Sequence, residues 1–383
     1  MDISVTNTVQ QRYGAGAEER EAALCCPVDY DARYLEAIPA EVIERDYGCG
    51  DPSRYVGEGE TVLDLGSGSG KVCFIAAQKT GPKGRVIGID MTPEMLDLAR
   101  RSAAPVAERI GYANVEFRRG NIEDLASDPA RIDAWLADHP VTSAGDMAGA
   151  QTELERMRRE QPLVADDSID LIVSNCVLNL VSDDKKRQLF AEMFRVLKVG
   201  GRIAVSDIVS DEPSPEHLKN DPELWSGCVS GAFQEHAFLA MLEEVGFHGI
   251  TFDKFDERPW RVVEGIEYRA VTVLAWKGKQ GPCIEGNQAV IYRGPWKTVE
   301  DDDGHVYRRG QRMAVCEKTW RLLNAEPYRQ SIIPLPPHRP VVDGGVFDCS
   351  RPVLRDPSET KQGSPRLTTE AAAACCDIDG GCC

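Results

Sequence analysis

Residues 61–73, TVLDLGSGSGKVC, constrain the fold of this chain more than any other stretch. An apolar strand-like run ends on Asp64 and meets glycines at 66, 68 and 70, after which KVCFIAAQKTG reads as a helix. Glycine lets a backbone turn with positive φ and approach a ligand closely. A glycine loop alone is weak evidence. Here it is followed by a second strand, RVIGID, that ends on Asp90, where a carboxylate can grip ribose hydroxyls. Lys71 stands where a dinucleotide-binding loop needs a third small residue, which makes a nicotinamide oxidoreductase the weakest reading.

The alternation continues. Thr92 and Pro93 open a helix that Gly111 ends, VEFRRGNIEDL supplies a third strand and turn, and SIDLIV (168–173) a fourth. A helix at 183–198 and the strand RIAVSDIV (202–209) follow, with a polar insert at 127–166 expected to hold one or two helices. Strands alternating with helices imply an α/β fold with a parallel sheet covered on both faces. The segments GITFDKFDERPW and YRAVTVLAWKG suggest a last antiparallel pair. Four regions are expected: an N-terminal extension (1–35), the α/β domain (36–280), a small strand-rich domain (281–345) and a disordered, cysteine-containing tail (346–383).

The balance of 44 basic against 62 acidic residues, net −18, argues against nucleic acid or an anionic membrane surface as partner. No apolar run is long enough to span a bilayer and the N-terminus is polar, so the chain is expected to be cytoplasmic, with the acidic charge consistent with a monomer. Thirteen cysteines in such a chain weight the reading toward metal-binding, redox or catalytic thiols. No pair has C-x-x-C spacing, so a zinc site assembled from the single cysteines gains no support. Cys176 stands between Asn175 and Asn179 where the apolar run of the fourth strand ends. Cys49, Cys73 and Cys228 fall in loops or helix starts at the same edge of the sheet. Each alone has a bland explanation, because cysteine is often buried as a small hydrophobe.

The glycine pattern resembles the class I S-adenosylmethionine-dependent methyltransferases, whose Rossmann-like sheet is mostly parallel with an antiparallel last strand. More specifically, YGCG, DLGSGSG, GIDMT, SNCVLNLVSDDK, RVLKVGG and LWSGCVSGA resemble the arsenite methyltransferases over about residues 27–340. The resemblance implies S-adenosyl-L-methionine as cofactor, held by Asp64, Gly66, Ser67, Gly68, Gly70, Asp90, Met91, Asn121, Ile122 and Asn175. It implies no metal cofactor, because arsenic is the substrate. It also implies four catalytic cysteines: Cys176 and Cys228 bind trivalent arsenic, Cys73 serves as a further sulfur, and Cys49 and Cys73 form the redox pair. The implied partners are arsenite, methylated arsenicals, and thioredoxin or glutathione as reductant. Thiolates select such soft acceptors.

Two rivals stand beside this reading. One is a methyltransferase of another small acceptor whose cysteines are structural, and the other a thiol-rich metalloid sensor or sink that releases no product. The vicinal pairs Cys25–Cys26, Cys375–Cys376 and Cys382–Cys383 are read either as doubled thiols in tails or as collectors of trivalent arsenicals.

Overall fold

The computed structural model describes residues 3–18, 28–365, 367 and 368, so all three vicinal cysteine pairs lie outside the described residues. The chain divides into two compact units, Met1–Gly278 and Lys279–Cys383. No described helix is long and apolar enough to cross a membrane.

The first unit opens with α1 (Ile3–Glu18), α2 (Ala32–Leu35) and α3 (Ala40–Glu44). Pro39 is the N-cap of α3 and separates it from α2. Then come β1 (Thr61–Leu65), α4 (Lys71–Thr80), β2 (Arg85–Asp90), α5 (Pro93–Ile110) and β3 (Val115–Arg119). The insert forms two helices, α6 (Pro129–Asp138) and α7 (Ala144–Glu160). Each is capped by a side chain: Asp128 accepts from Ala130 and Arg131, and Ser143 from Asp146. The unit continues through β4 (Ile169–Asn175), α8 (Asp183–Val196), β5 (Leu197–Ser210), α9 (Glu216–Lys219) and α10 (Pro222–Ser226). It closes with β6 (Phe233–Gln234), α11 (Glu235–Val245), β7 (His248–Phe255), β8 (Arg261–Val263) and β9 (Ile266–Trp276).

These strands form one sheet in the order β3-β2-β1-β4-β5-β9-β7, with β6 beside β5 and β8 beside β9. The first five are parallel neighbours, and β9 lies antiparallel between β5 and β7. This is the class I methyltransferase sheet. Alternation along the strands feeds two apolar layers. Leu63, Leu65, Ile87, Ile89 and Ile172 join one, while Val62, Val86, Leu171 and Val173 join the other. Burial on both faces is what a parallel sheet between helices requires.

The N-terminal extension expected at 1–35 is not separate from this unit. Arg12 donates to Ser226 Oγ (2.8 Å) and Glu223 O (3.1 Å), and the Tyr47 hydroxyl donates to Gly16 O (2.9 Å). Val9 and Ala17 are buried. A mostly polar helix with few apolar positions docks through these hydrogen bonds, which composition does not reveal.

The second unit holds β10 (Ala289–Tyr292), β11 (Thr298–Glu300), β12 (Val306–Arg308), β13 (Arg312–Ala314), α12 (Glu317–Leu323), β14 (Ile332–Leu335) and α13 (Pro357–Thr360). Three strands pair antiparallel as β13-β10-β14, and β11 pairs with β12. The expectation of a disordered tail from 346 needs correction over 346–365. Val346 bridges to Ile284 and Leu354 to Met313. Arg355 is buried and paired with Glu285 at 2.7 Å, and a capping box on Asp356 starts α13. Proline- and serine-rich composition reads as disorder, but one buried, paired arginine anchors the segment.

Candidate functional site

The turn after β1 is built by three glycines with positive φ, and each has its own reason. At Gly66 (φ 72°) an added Cβ would stand 2.4 Å from Val177. At Gly70 (φ 90°) it would stand 2.7 Å from Phe117, so Gly70 serves helix–strand packing; it is absent from the pocket lining, unlike the other nine residues expected at the cofactor. Gly68 (φ 50°) meets nothing within 4 Å and faces open space. Gly66 and Ser67 donate to Ile89 O, which fixes the turn against the end of β2. Asp90 then ties the loop to α5, one oxygen accepting from Gly68 N and the other from Thr92 N, each at 2.8 Å.

The resulting pocket is lined by Asp64, Gly66, Ser67, Gly68, Asp90, Met91, Asn121, Ile122, Asn175 and Cys176, together with Asp46 and Glu123. Its acidic lining suits a cationic ligand. Burial pushes the Asp64 carboxyl up to about 7, against the thiol hydrogen bond from Cys73, and nearby Asp46 and Asp90 push it further. Burial also raises Asp90, against the backbone donors of Thr92 and Gly68. Ser67 Oγ is buried without a hydrogen-bond partner among the described residues. An orphaned hydroxyl, an open glycine and buried carboxylates match the needs of S-adenosylmethionine, which brings hydroxyls, an ammonium and a sulfonium. Lys71, which argued against a dinucleotide, is buried in an ion pair with Asp46 and lies 4.0 Å from the Tyr30 ring centroid.

Asn175 lines this pocket, yet its amide is spent on the protein. Its Oδ1 accepts from Cys49 N (2.9 Å) and Gly50 N (3.1 Å), and its Nδ2 donates to Gly50 O (2.8 Å) and Tyr30 Oη (2.9 Å). Its role in the structure is to seat the 48–50 loop over the end of β4. That seating brings Cys49 to Cys176, and the two form a disulfide. The expected pairing of Cys49 with Cys73 is therefore corrected. Cys73 is fully buried one turn into α4 and donates to Asp64 Oδ2 at 3.1 Å. It packs in the layer of Val62 and Val173, whereas Cys49, Cys176 and Cys228 share a separate buried cluster with Ile208 and Tyr268. As a further arsenic sulfur, Cys73 is likewise not brought to Cys176 and Cys228. The cause is helix direction: the buried face of α4 packs on the sheet.

Cys176 and Cys228 both hold φ at 58°, a left-handed backbone uncommon outside glycine. Residues held in such conformations cluster where geometry serves function. The Cys228 thiol donates to Cys176 O at 3.1 Å and lies 3.8 Å from the Tyr13 hydroxyl. Asn179 Nδ2 holds the same loop, donating to Ile208 O (2.7 Å) and Cys228 O (3.4 Å). The Asp207 carboxylate reaches the sulfurs of Cys49 and Cys176 within 4.8 Å. Burial pushes it up to about 7, against backbone donors from Ile208 and Leu178.

Sequence reasoning missed Val9 and Tyr13 of α1, which line the pocket, as do Tyr47 and Met95. An aromatic ring in the polar stretch QQRYGAG was the one available signal for Tyr13.

Comparison with known proteins agrees with this geometry. A family model described as a methyltransferase domain matches residues 57–163 and 153–246, and one described as a domain of unknown function matches 279–365. An arsenite methyltransferase of Aquipseudomonas alcaligenes is 32% identical over 338 residues, covering 82% of this chain and 86% of its own. One from Halobacterium salinarum is 37% identical over 246 residues; the match covers 64% of this chain but only about half, 52%, of the archaeal protein. The crystal structure of an arsenic(III) S-adenosylmethionine methyltransferase from Chlamydomonas reinhardtii superposes with a TM-score of 0.55 at 27% identity, covering 84% of this chain and 100% of that one. With a glycine turn, an acidic cofactor pocket and a cysteine cluster at the strand ends, this chain belongs to the arsenite methyltransferases, an S-adenosylmethionine-dependent family on the class I methyltransferase fold.

Proposed function

We propose that this chain methylates trivalent arsenic, taking arsenite and methylarsenite as acceptors. The observation that carries the reading is the position of Cys176. It lines the same pocket as Asp64, Gly68 and Asp90, and it belongs to a buried cysteine cluster with Cys49 and Cys228. When bound, S-adenosylmethionine supplies an electrophilic methyl on its sulfonium. Asp64 and Asp90 would hold its amino-acid and ribose ends, and Asn121 and Ile122 its adenine. Cys176 and Cys228 act as the arsenic ligands, each thiol exchanging for a hydroxide on arsenic with loss of water. Two such bonds leave the arsenic lone pair free as the nucleophile, so proximity and orientation supply most of the acceleration.

Formation of the arsenic–carbon bond formally oxidises arsenic by two electrons. Cys49, deprotonated, attacks the arsenic-bound sulfur of Cys176; that As–S bond breaks with its electron pair left on arsenic, the Cys49–Cys176 disulfide forms, and arsenic returns to the trivalent state, still held by Cys228. A thioredoxin dithiol or two glutathione thiols then reduce that disulfide by thiol exchange. Cys73, through its hydrogen bond to Asp64, acts on the cofactor side of the site.

The test is incubation of the reduced chain with arsenite, S-adenosylmethionine and a thiol reductant, followed by chromatography with elemental detection. Methylated arsenicals are expected. Stoichiometric arsenic uptake with no methylated product would replace the reading with that of a metalloid sink.

A further inference from the structure

The second unit brings together three cysteines that no motif connects. The sulfurs of Cys283, Cys316 and Cys349 all lie within 4.8 Å of one another. They arrive from three chain segments locked by backbone bonds beside the cysteines themselves. Phe347 N donates to Cys283 O at 2.9 Å, and Glu317 N donates to Ile284 O at 2.9 Å. The Ile284–Val346 bridge adds a third tie. The cluster is thus pre-organised by the fold. Cys316 is buried, while Cys283 and Cys349 are partly exposed, so a small solute has access. A cavity bordered by His305, Tyr307, Met313, Phe347 and Arg351 opens beside Cys316 and Cys349.

We propose that Cys283, Cys316 and Cys349 form a three-thiolate binding site for trivalent arsenic, separate from the methyl-transfer site. The number of sulfurs decides the ligand class. A closed structural zinc site takes four protein ligands, and no fourth His, Cys, Asp or Glu atom joins this group at the same reach among the described residues. The nearby imidazole of His305 is engaged through Nδ1 with Asp301 Oδ2 at 3.0 Å. Trivalent arsenic needs three bonds, the number that the three sulfurs supply. Thiolates select such a soft centre over hard cations. The exchange balances without redox chemistry: three S–H and three As–O bonds break, three As–S bonds form, and three waters leave.

The electrostatics favour the first bond at Cys316. Burial opposes its charge, but donors from Thr319 and the thiols of Cys283 and Cys349 outweigh it, and the thiol is held below its ordinary value. Burial, the hydrogen bond with Cys283 and the nearby Cys316 push the Cys349 thiol up to about 12. Cys316 is thus the thiol that gives up its proton most readily, and each of the three protons leaves with a departing hydroxide as water.

The site is tested in the reduced full chain carrying Cys176→Ser and Cys228→Ser, which silences the methyl-transfer cluster, so the result does not depend on the methylation reading. With one equivalent of arsenite, arsenic X-ray absorption is expected to count three sulfurs. Adjacent cysteine pairs supply two each, so a count of three separates the cluster from them. Adding Cys349→Ser or Cys283→Ser should lower the count to two and weaken arsenite binding by about 10²-fold or more, as loss of one arm of a chelate does. Both positions are partly exposed, and unchanged circular dichroism checks that the variants fold. Methylarsenite, with two exchangeable positions, should lose far less affinity in the same variants. A two-sulfur count in the parent, equal arsenite affinity in the variants, or a tightly held zinc lost on the same substitutions would each overturn the site.

Discussion

The two units each gather three cysteines, and the clusters differ in what surrounds them. In the first unit, Cys49, Cys176 and Cys228 sit with Asp207 at the ends of β4 and β5, and Cys176 opens onto the acidic pocket behind the glycine turn. In the second, Cys283, Cys316 and Cys349 converge from three loop segments, and the adjoining cavity is bordered by no glycine turn and no aspartate or glutamate. The redox state differs too: the first cluster contains the Cys49–Cys176 disulfide, while the second holds three free thiols. A cysteine cluster that opens onto an acidic pocket suits the proposed methyl transfer, whereas one whose adjoining cavity lacks such a lining suits the proposed binding alone. The surroundings assign the role.

The largest effect that would break this contrast is the loss of Cys228 or Cys176. Either Cys228→Ser or Cys176→Ser should lower arsenite methylation by about 10³-fold or more, because a misplaced acceptor forfeits the proximity effect. The serine variants at 283 and 349 should keep methylation at saturating arsenite. Comparable loss in both sets, measured as rates of methylarsenical release, would erase the distinction between the clusters.

A smaller effect is expected on the donor side. Asp90→Ala removes a carboxylate that accepts from Gly68 and Thr92, and charged hydrogen bonds of this kind contribute about 1.5–3 kcal/mol. Affinity for S-adenosylmethionine by calorimetry should fall about 10- to 100-fold, in line with that range. Arsenite uptake by the second-unit cluster should not change. A near-native cofactor affinity would reject the pocket.

Acidification supplies a third probe. Asp64 titrates near 7, and a cationic ligand beside it favours its ionised form. Ligand binding then releases a proton below that value. Affinity for S-adenosylmethionine should rise with pH up to about 7 and level off above it, with a limiting slope approaching tenfold per pH unit. Asp64→Asn should flatten the profile, and an unchanged slope in that variant would move the proton to another group.

The mildest change is expected from Cys73→Ser. A serine hydroxyl can keep the hydrogen bond to Asp64, so the expected outcome is a few-fold shift in cofactor affinity with arsenic binding intact. Loss of arsenite methylation with methylarsenite turnover preserved would instead return Cys73 to the redox pair.

Much of the donor site was legible in the sequence because its determinants are local. Gly66, Gly68 and Asp64 lie within five residues of one another, and Asp90 ends the next strand, so spacing alone places them at one edge of a parallel sheet. The final antiparallel pair and the helical character of the insert were legible for the same reason, since each follows from a short run of pattern, whereas the place of β9 between β5 and β7 was not. Sequence could not tell which thiols meet. Cys49 and Cys176 are 127 residues apart and are joined because Asn175 spends its amide on the loop that carries Cys49. The resemblance paired Cys73 with Cys49, whereas the structure joins Cys49 to Cys176, and no local pattern shows which layer a helical side chain enters. The placement of α1 against Cys228, the buried arginine that orders 346–365, and the convergence of Cys283, Cys316 and Cys349 have the same origin. The sequence determined the fold class and the cofactor turn, which rest on local periodicity and backbone preference. The tertiary structure decided the cysteine partners, because contacts between distant segments depend on how every intervening element packs.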